Sequence, residues 1–177
     1  MKKGFTLIEM MTAVSVFLVV MTISMGAILS IFDANRKSTS AKTVMDNLNF
    51  AVETMSREIR FGTRYHCGST GNQTNPQNCV SGDTYISFLA SDGAQTVYRL
   101  TGSAIEKSVD GGSGYVSITA PEIVISSLTF YVLGATGAPD TLQPKTIIKI
   151  TGTAGTKTNT RTAFTLETMA SQRLIDN

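Results

Sequence analysis

The sequence holds one histidine, His66, and two cysteines, Cys67 and Cys79. A single histidine leaves no Ser-His-acid arrangement in the spacing, and no glycine loop follows a strand so as to cradle a phosphate. An enzyme reading therefore has no support. His66, Cys67 and Cys79 offer three candidate zinc ligands, but without a second Cys-x-x-Cys or a histidine pair they fall short of a usual site. Acidic clusters are missing as well. Asp110 and Asp140 sit singly in loop sequence, where turn chemistry explains an acid better than calcium does. No metal and no cofactor is expected.

Charge of one sign is also scarce. Lys and Arg number 15 against 13 Asp and Glu, a net +2, so bulk attraction to nucleic acid or anionic lipid is not written into the chain. Arg57, Arg60 and Arg64, read as one helix face, could form a local patch for DNA. Glu53 four residues before Arg57, with Glu58 adjacent, favours a solvated, salt-paired stripe instead. Nucleic acid is not an expected partner. Asn72-Gln73-Thr74 matches a glycosylation triplet, a pattern common by chance.

One stretch is rich where the rest is lean. From Met10 to Phe32 no residue is charged, and as a helix this run spans roughly 35 Å, enough to cross a bilayer once. A removable secretory signal has a shorter apolar core, of about 7 to 15 residues, and a small-residue cleavage site. Just before the run stands Glu9, in Met1-Lys2-Lys3-Gly4-Phe5-Thr6-Leu7-Ile8-Glu9. A carboxylate opening a membrane-ready helix is costly and asks for a role beyond anchoring. Lys2 and Lys3 on one side against Arg36, Lys37 and Lys42 on the other do not settle orientation. Cys67 and Cys79 flank a short polar stretch, which in an oxidising compartment fits a disulfide worth roughly 3 kcal/mol, and so hints at export.

Beyond Phe32 the pattern becomes amphipathic. Ala41, Val44, Met45, Leu48, Ala51, Val52, Met55 and Ile59 recur every three or four residues, and no Pro or Gly interrupts Asp33 to Phe61. One rod from near Phe5 to about Phe61, on the order of 85 Å long, is predicted. Gly62 and the residues after it end it. Strands are predicted at Tyr85 to Leu89, Thr96 to Leu100, Ala104 to Val109, Ile123 to Leu133, Thr146 to Thr151 and Ala163 to Thr168, with a hairpin at Asp92-Gly93. Asp110 to Gly114 and Thr151 to Thr162 read as loops, and Arg173 to Asn177 as a short tail. The expected fold is α+β: a long N-terminal helix, membrane-spanning in its first half, packed against an antiparallel sheet.

Gly4-Phe5-Thr6-Leu7-Ile8-Glu9, after a short basic leader and before an unbroken span, closely resembles the prepilin motif of type IV pilins and type II secretion pseudopilins. The resemblance implies cleavage between Gly4 and Phe5 by a prepilin peptidase, N-methylation of Phe5, and a role for Glu9 in meeting the new α-amino group on a neighbouring subunit. It implies a leader at 1–4, a transmembrane and assembly segment at 5–32, an amphipathic helix at 33–62 and a pilin-like sheet domain at 63–177. Localisation would be the inner membrane, single-pass, with the C-terminal domain extracytoplasmic, and then a filament. Partners would be membrane lipid, the peptidase, an inner-membrane assembly platform and other pilin-like subunits.

Major pilins of the family often carry helix breakers where this chain has Leu18 and Gly26, which leans toward a minor subunit. Looser patterns are similar to J-type minor pseudopilins: Asn47 to Phe50, Ser56 to Arg60, Leu128 to Tyr131 and Phe164 to Arg173. That group joins a complex at the filament tip and helps prime assembly. The alternatives are a minor pilin of a type IV or competence pilus and a membrane-anchored binding module.

Overall fold

The computed structural model describes residues 4–136, 142–155 and 161–174. Lys2 and Lys3 of the leader, Asp140, the middle of the threonine-rich run (156–160) and the last three residues of the tail lie outside them. The chain divides into two units, Met1–Ser40 and Ala41–Asn177.

Helix α1 runs from Leu7 to Phe61 and contributes to both units. From Leu7 to Thr39 its side chains are exposed, and it is long and apolar enough to cross a membrane. Three of its hydroxyls bond back to the helix: Thr12 Oγ1 donates to Ile8 O at 3.1 Å, Ser15 Oγ to Met11 O at 2.8 Å and Thr22 Oγ1 to Leu18 O at 2.9 Å. Polar groups satisfied in this way can sit in hydrocarbon without an external partner.

In the second unit the amphipathic stripe acquires its cover. Val44, Leu48, Ala51, Met55 and Ile59 are buried. The helix stops after Phe61, and at Gly62 the backbone passes close to a ring that leaves no room for a side chain: a Cβ there would stand 2.5 Å from Phe88 Cδ2.

Among the described residues nine strands follow. They are β1 (Thr63–Cys67), β2 (Cys79–Asp83), β3 (Tyr85–Leu89), β4 (Gln95–Thr101), β5 (Ala104–Ser108), β6 (Val116–Ser117), β7 (Ile123–Leu133), β8 (Lys145–Ala154) and β9 (Thr162–Ser171). They form two antiparallel sheets, one ordered β1-β3-β4-β5-β6 and the other β2-β7-β8-β9. Buried side chains of α1 and of both sheets make one core, including Leu48, Met55, Phe88, Tyr98, Phe130 and Ile148. The Asp92-Gly93 hairpin joins β3 to β4, with Gly93 at φ 85° and Ala94 N donating to Asp92 Oδ1 at 3.0 Å.

The α+β, pilin-like layout agrees with the expectation, but the single sheet becomes two. β1, β2 and β6 lack the alternation that marks a strand: β1 carries Arg64 at a positive φ of 55°, β2 contains Gly82 at φ 82°, and β6 is two residues long. β8 also runs to Ala154, into sequence expected to be loop, because its register with β9 continues to Ala154 opposite Thr162.

Candidate assembly and processing site

The start of α1 is built by a cap. Thr6 stands before the first helical residue, its carbonyl accepts from Met10 N at 3.2 Å, and its Oγ1 accepts from Glu9 N at 3.4 Å. This is half of a capping box, Thr6-x-x-Glu9, in which a glutamate at the third helical position accompanies a threonine cap. The spacing was available in the sequence as a structural explanation for Glu9 alongside the membrane cost. A carboxylate in the first turn also sits at the positive end of the helix dipole. Phe5 is 78% exposed, and Gly4 has open space around it. The bond between them is sterically accessible.

From Phe5 to Phe32 the large apolar side chains, among them Leu7, Ile8, Phe17, Ile23 and Ile31, are all exposed. Residues 1–25 match the family model for the prokaryotic N-terminal methylation motif. That motif supports a type IV pilin-like protein. Neither the curated proteins nor the solved structures that were searched gave a match. For a pilin-like chain the motif implies processing by a prepilin peptidase and assembly into filaments, and the apolar helix fits a single-pass membrane anchor.

The pilin-like second unit holds the remaining candidates. Cys67 and Cys79 are bonded to each other, with Cα atoms 5.7 Å apart. Because Cys67 ends β1 and Cys79 begins β2, the bond staples one sheet to the other. His66 is buried, its Nδ1 2.8 Å from Asn75 O and its Nε2 3.0 Å from Thr70 O. Both ring nitrogens face the backbone of the enclosed loop, so the residue clasps that loop and presents no nitrogen to a metal. Among the described residues no three His, Cys, Asp or Glu side chains gather into a metal site. Asp110 belongs to a turn closed by Ser113 N donating to Asp110 O at 3.1 Å. Asn72 Oδ1 accepts from Thr74 N and Oγ1 at 3.1 and 2.7 Å, the local closure expected of an Asx turn.

The arginine face needs correction. Arg64 is in β1, after the helix has ended, and shares no helix face with Arg57 and Arg60. Glu53 and Arg57 do pair, at 3.4 Å, in the open. Glu58 is no part of that stripe. It turns to the sheet, where Tyr98 OH donates to its Oε2 at 2.6 Å and Lys107 Nζ lies 2.5 Å from its Oε1. Burial, then the bond to Glu58, raises the Tyr98 hydroxyl well above its ordinary pKa. Burial likewise raises Tyr65, whose OH donates to Ile59 O at 2.6 Å. Tyr85 is pushed up to about 12, chiefly by burial and then by Tyr115. These tyrosines act as neutral donors that fasten helix and loop to the sheets.

Proposed function

We propose that this chain is a minor pseudopilin, a structural subunit of a type II secretion pseudopilus that works in a tip or initiation complex. The observation that carries the reading is a helix with a capped, processable start and an exposed apolar face. In the membrane lipid covers that face; in a filament other pilin-like subunits would. Cleavage between Gly4 and Phe5 frees an α-amino group, which is N-methylated. Glu9, four residues on, neutralises the corresponding group of a neighbour, since a charge in a low-dielectric setting is tolerated when an opposite charge meets it. An inner-membrane assembly platform performs the transfer, and the C-terminal unit lies on the extracytoplasmic side, where Cys67 and Cys79 can oxidise.

Support for a minor subunit comes from the helix itself. α1 is unbroken from Leu7 to Phe61, through Leu18 and Gly26, where major pilins of the family often carry breakers. A minor pilin of a type IV or competence pilus would share all of these features.

The test is fractionation of the processed chain. Mass spectrometry should find a chain beginning at N-methylated Phe5 in sheared filaments, together with other pilin-like subunits and at a small fraction of their abundance. A chain that remains a membrane-bound monomer would instead favour an anchored binding module.

A further inference from the structure

Two open sheets have four edges, and three of these are protected. β6 is two residues long. β1 and β2 each shift register against their neighbour, and the outer side of β1 is covered by the loop: Gln77 N donates to Tyr65 O at 2.9 Å and Cys67 N to Gln77 O at 3.1 Å. Short strands, irregular register and cover are the means by which sheets avoid adding strands. Among the described residues β9 has none of them. Its ten residues pair with β8 without a register shift, from Ser171 opposite Lys145 to Thr162 opposite Ala154. It contains no proline and no lysine, and its one charge is Glu167. Along a strand, alternate residues turn both backbone groups to the same side, so half of those in β9 face away from β8. Among the described residues no other backbone group takes them up.

A groove of about 650 Å³ reaches this edge at Thr168, its walls including Glu53, Arg57, Arg60 and Phe61 of α1 and Arg173. Arg57 is paired with Glu53. Arg60 and Arg173 pair with no carboxylate among the described residues. They are held together at the end of β9, where Arg173 N donates to Arg60 O at 2.9 Å.

We propose that β9 accepts an extended segment of another protein chain as an additional strand, and that Arg60 and Arg173 bind a carboxylate on the part of that segment nearest Ser171. Backbone bonding to an exposed edge supplies affinity, and the charges set register and choice. An anionic lipid or a nucleic acid could use the two guanidinium groups, but its phosphates would leave the strand's N–H and C=O ladder unpaired. The surface goes beyond the filament reading, because it depends on neither Glu9 nor the apolar helix.

The experiment uses the full chain in its native membrane, with a benzophenone amino acid placed in turn at Ala163, Thr165, Glu167 and Met169, whose side chains are exposed. The expected result is crosslinking of all four positions to one segment of a different protein. The crosslinked residue should move along that segment in step with the probe, and an acid should fall beside Arg173. Arg60→Glu combined with Arg173→Glu should lower the yield at Met169 by at least about tenfold. If that variant fails to form the Cys67–Cys79 bond, Arg60→Gln with Arg173→Gln serves in its place, with the same direction expected. Crosslinks to lipid, to a second copy of this chain or to scattered sites overturn the proposal. So does the absence of crosslinks, or a yield indifferent to the arginines.

Discussion

The two units share one helix and differ in what covers it. Up to Phe32 the apolar side chains of α1 are exposed on every side, whereas Val44, Leu48, Ala51, Met55 and Ile59 recur on one face and are buried in the core they share with the sheets. The helical backbone is continuous through both. The environment that stabilises each half is therefore encoded in side-chain distribution: an all-round apolar surface requires lipid or other helices, and a stripe requires a sheet from the same chain. The second unit can be tested as a folded domain and the first as a solvent-transfer problem.

The largest expected effect lies in the core of the second unit. Phe130→Ala should destabilise that unit by about 3–5 kcal/mol, since Phe130 is fully buried among the residues of both sheets. Thermal unfolding should register the loss while membrane association is unchanged. The converse substitution, Val20→Arg, places a charge in the apolar run and should cost insertion roughly 2.5–3.5 kcal/mol. Membrane extraction should detect it, and the unfolding temperature of the second unit should not move. If either variant affects both readouts equally, the division between the units is wrong.

A smaller effect is expected where α1 is fastened to the sheet. Glu58→Ala strips partners from Lys107, which is partly exposed, and from Tyr98, which is buried, and should cost about 1–3 kcal/mol in chemical denaturation. The high-pH limb of stability sharpens the same point. Tyr65, Tyr85 and Tyr98 have raised pKa values in the fold, so their contribution is complete below the ordinary tyrosine value of about 10. Above it the unfolded chain loses protons first and stability falls. For Tyr85 the contribution is lost as pH rises toward about 12. A titration of unfolding temperature that stays level from pH 10 to about 12 would contradict this assignment.

Much of the fold was legible because its signals were strong. The uncharged run, the three-and-four spacing from Ala41 to Ile59, and the β-branched stretches around Tyr85 and Ile123 each carry their own periodicity. β1 and β2 were hidden because a residue at positive φ, a glycine and a register shift break the alternation by which strands are recognised. Arg64 was misplaced because its spacing from Arg57 and Arg60 was read as helical although Gly62, already read as the end of the helix, lies between them. Glu58 looked like one more surface acid, and only the arrival of Lys107 and Tyr98 from distant strands gives it a partner. At the N-terminus the motif was plain, but the capping geometry of Thr6 gives Glu9 a structural use that must be separated from its charge.

Glu9→Gln separates them. Glutamine also serves at the third position of a capping box, so the helix start is kept while the negative charge is lost. The decisive measurement is the ratio of processed Glu9→Gln chain in sheared filaments to that in membranes, compared with the unmodified chain. Charge-directed assembly predicts a variant that is inserted and cleaved after Gly4 but retained in the membrane fraction. Incorporation at the unmodified level would show that Glu9 caps a helix and does not select a neighbour.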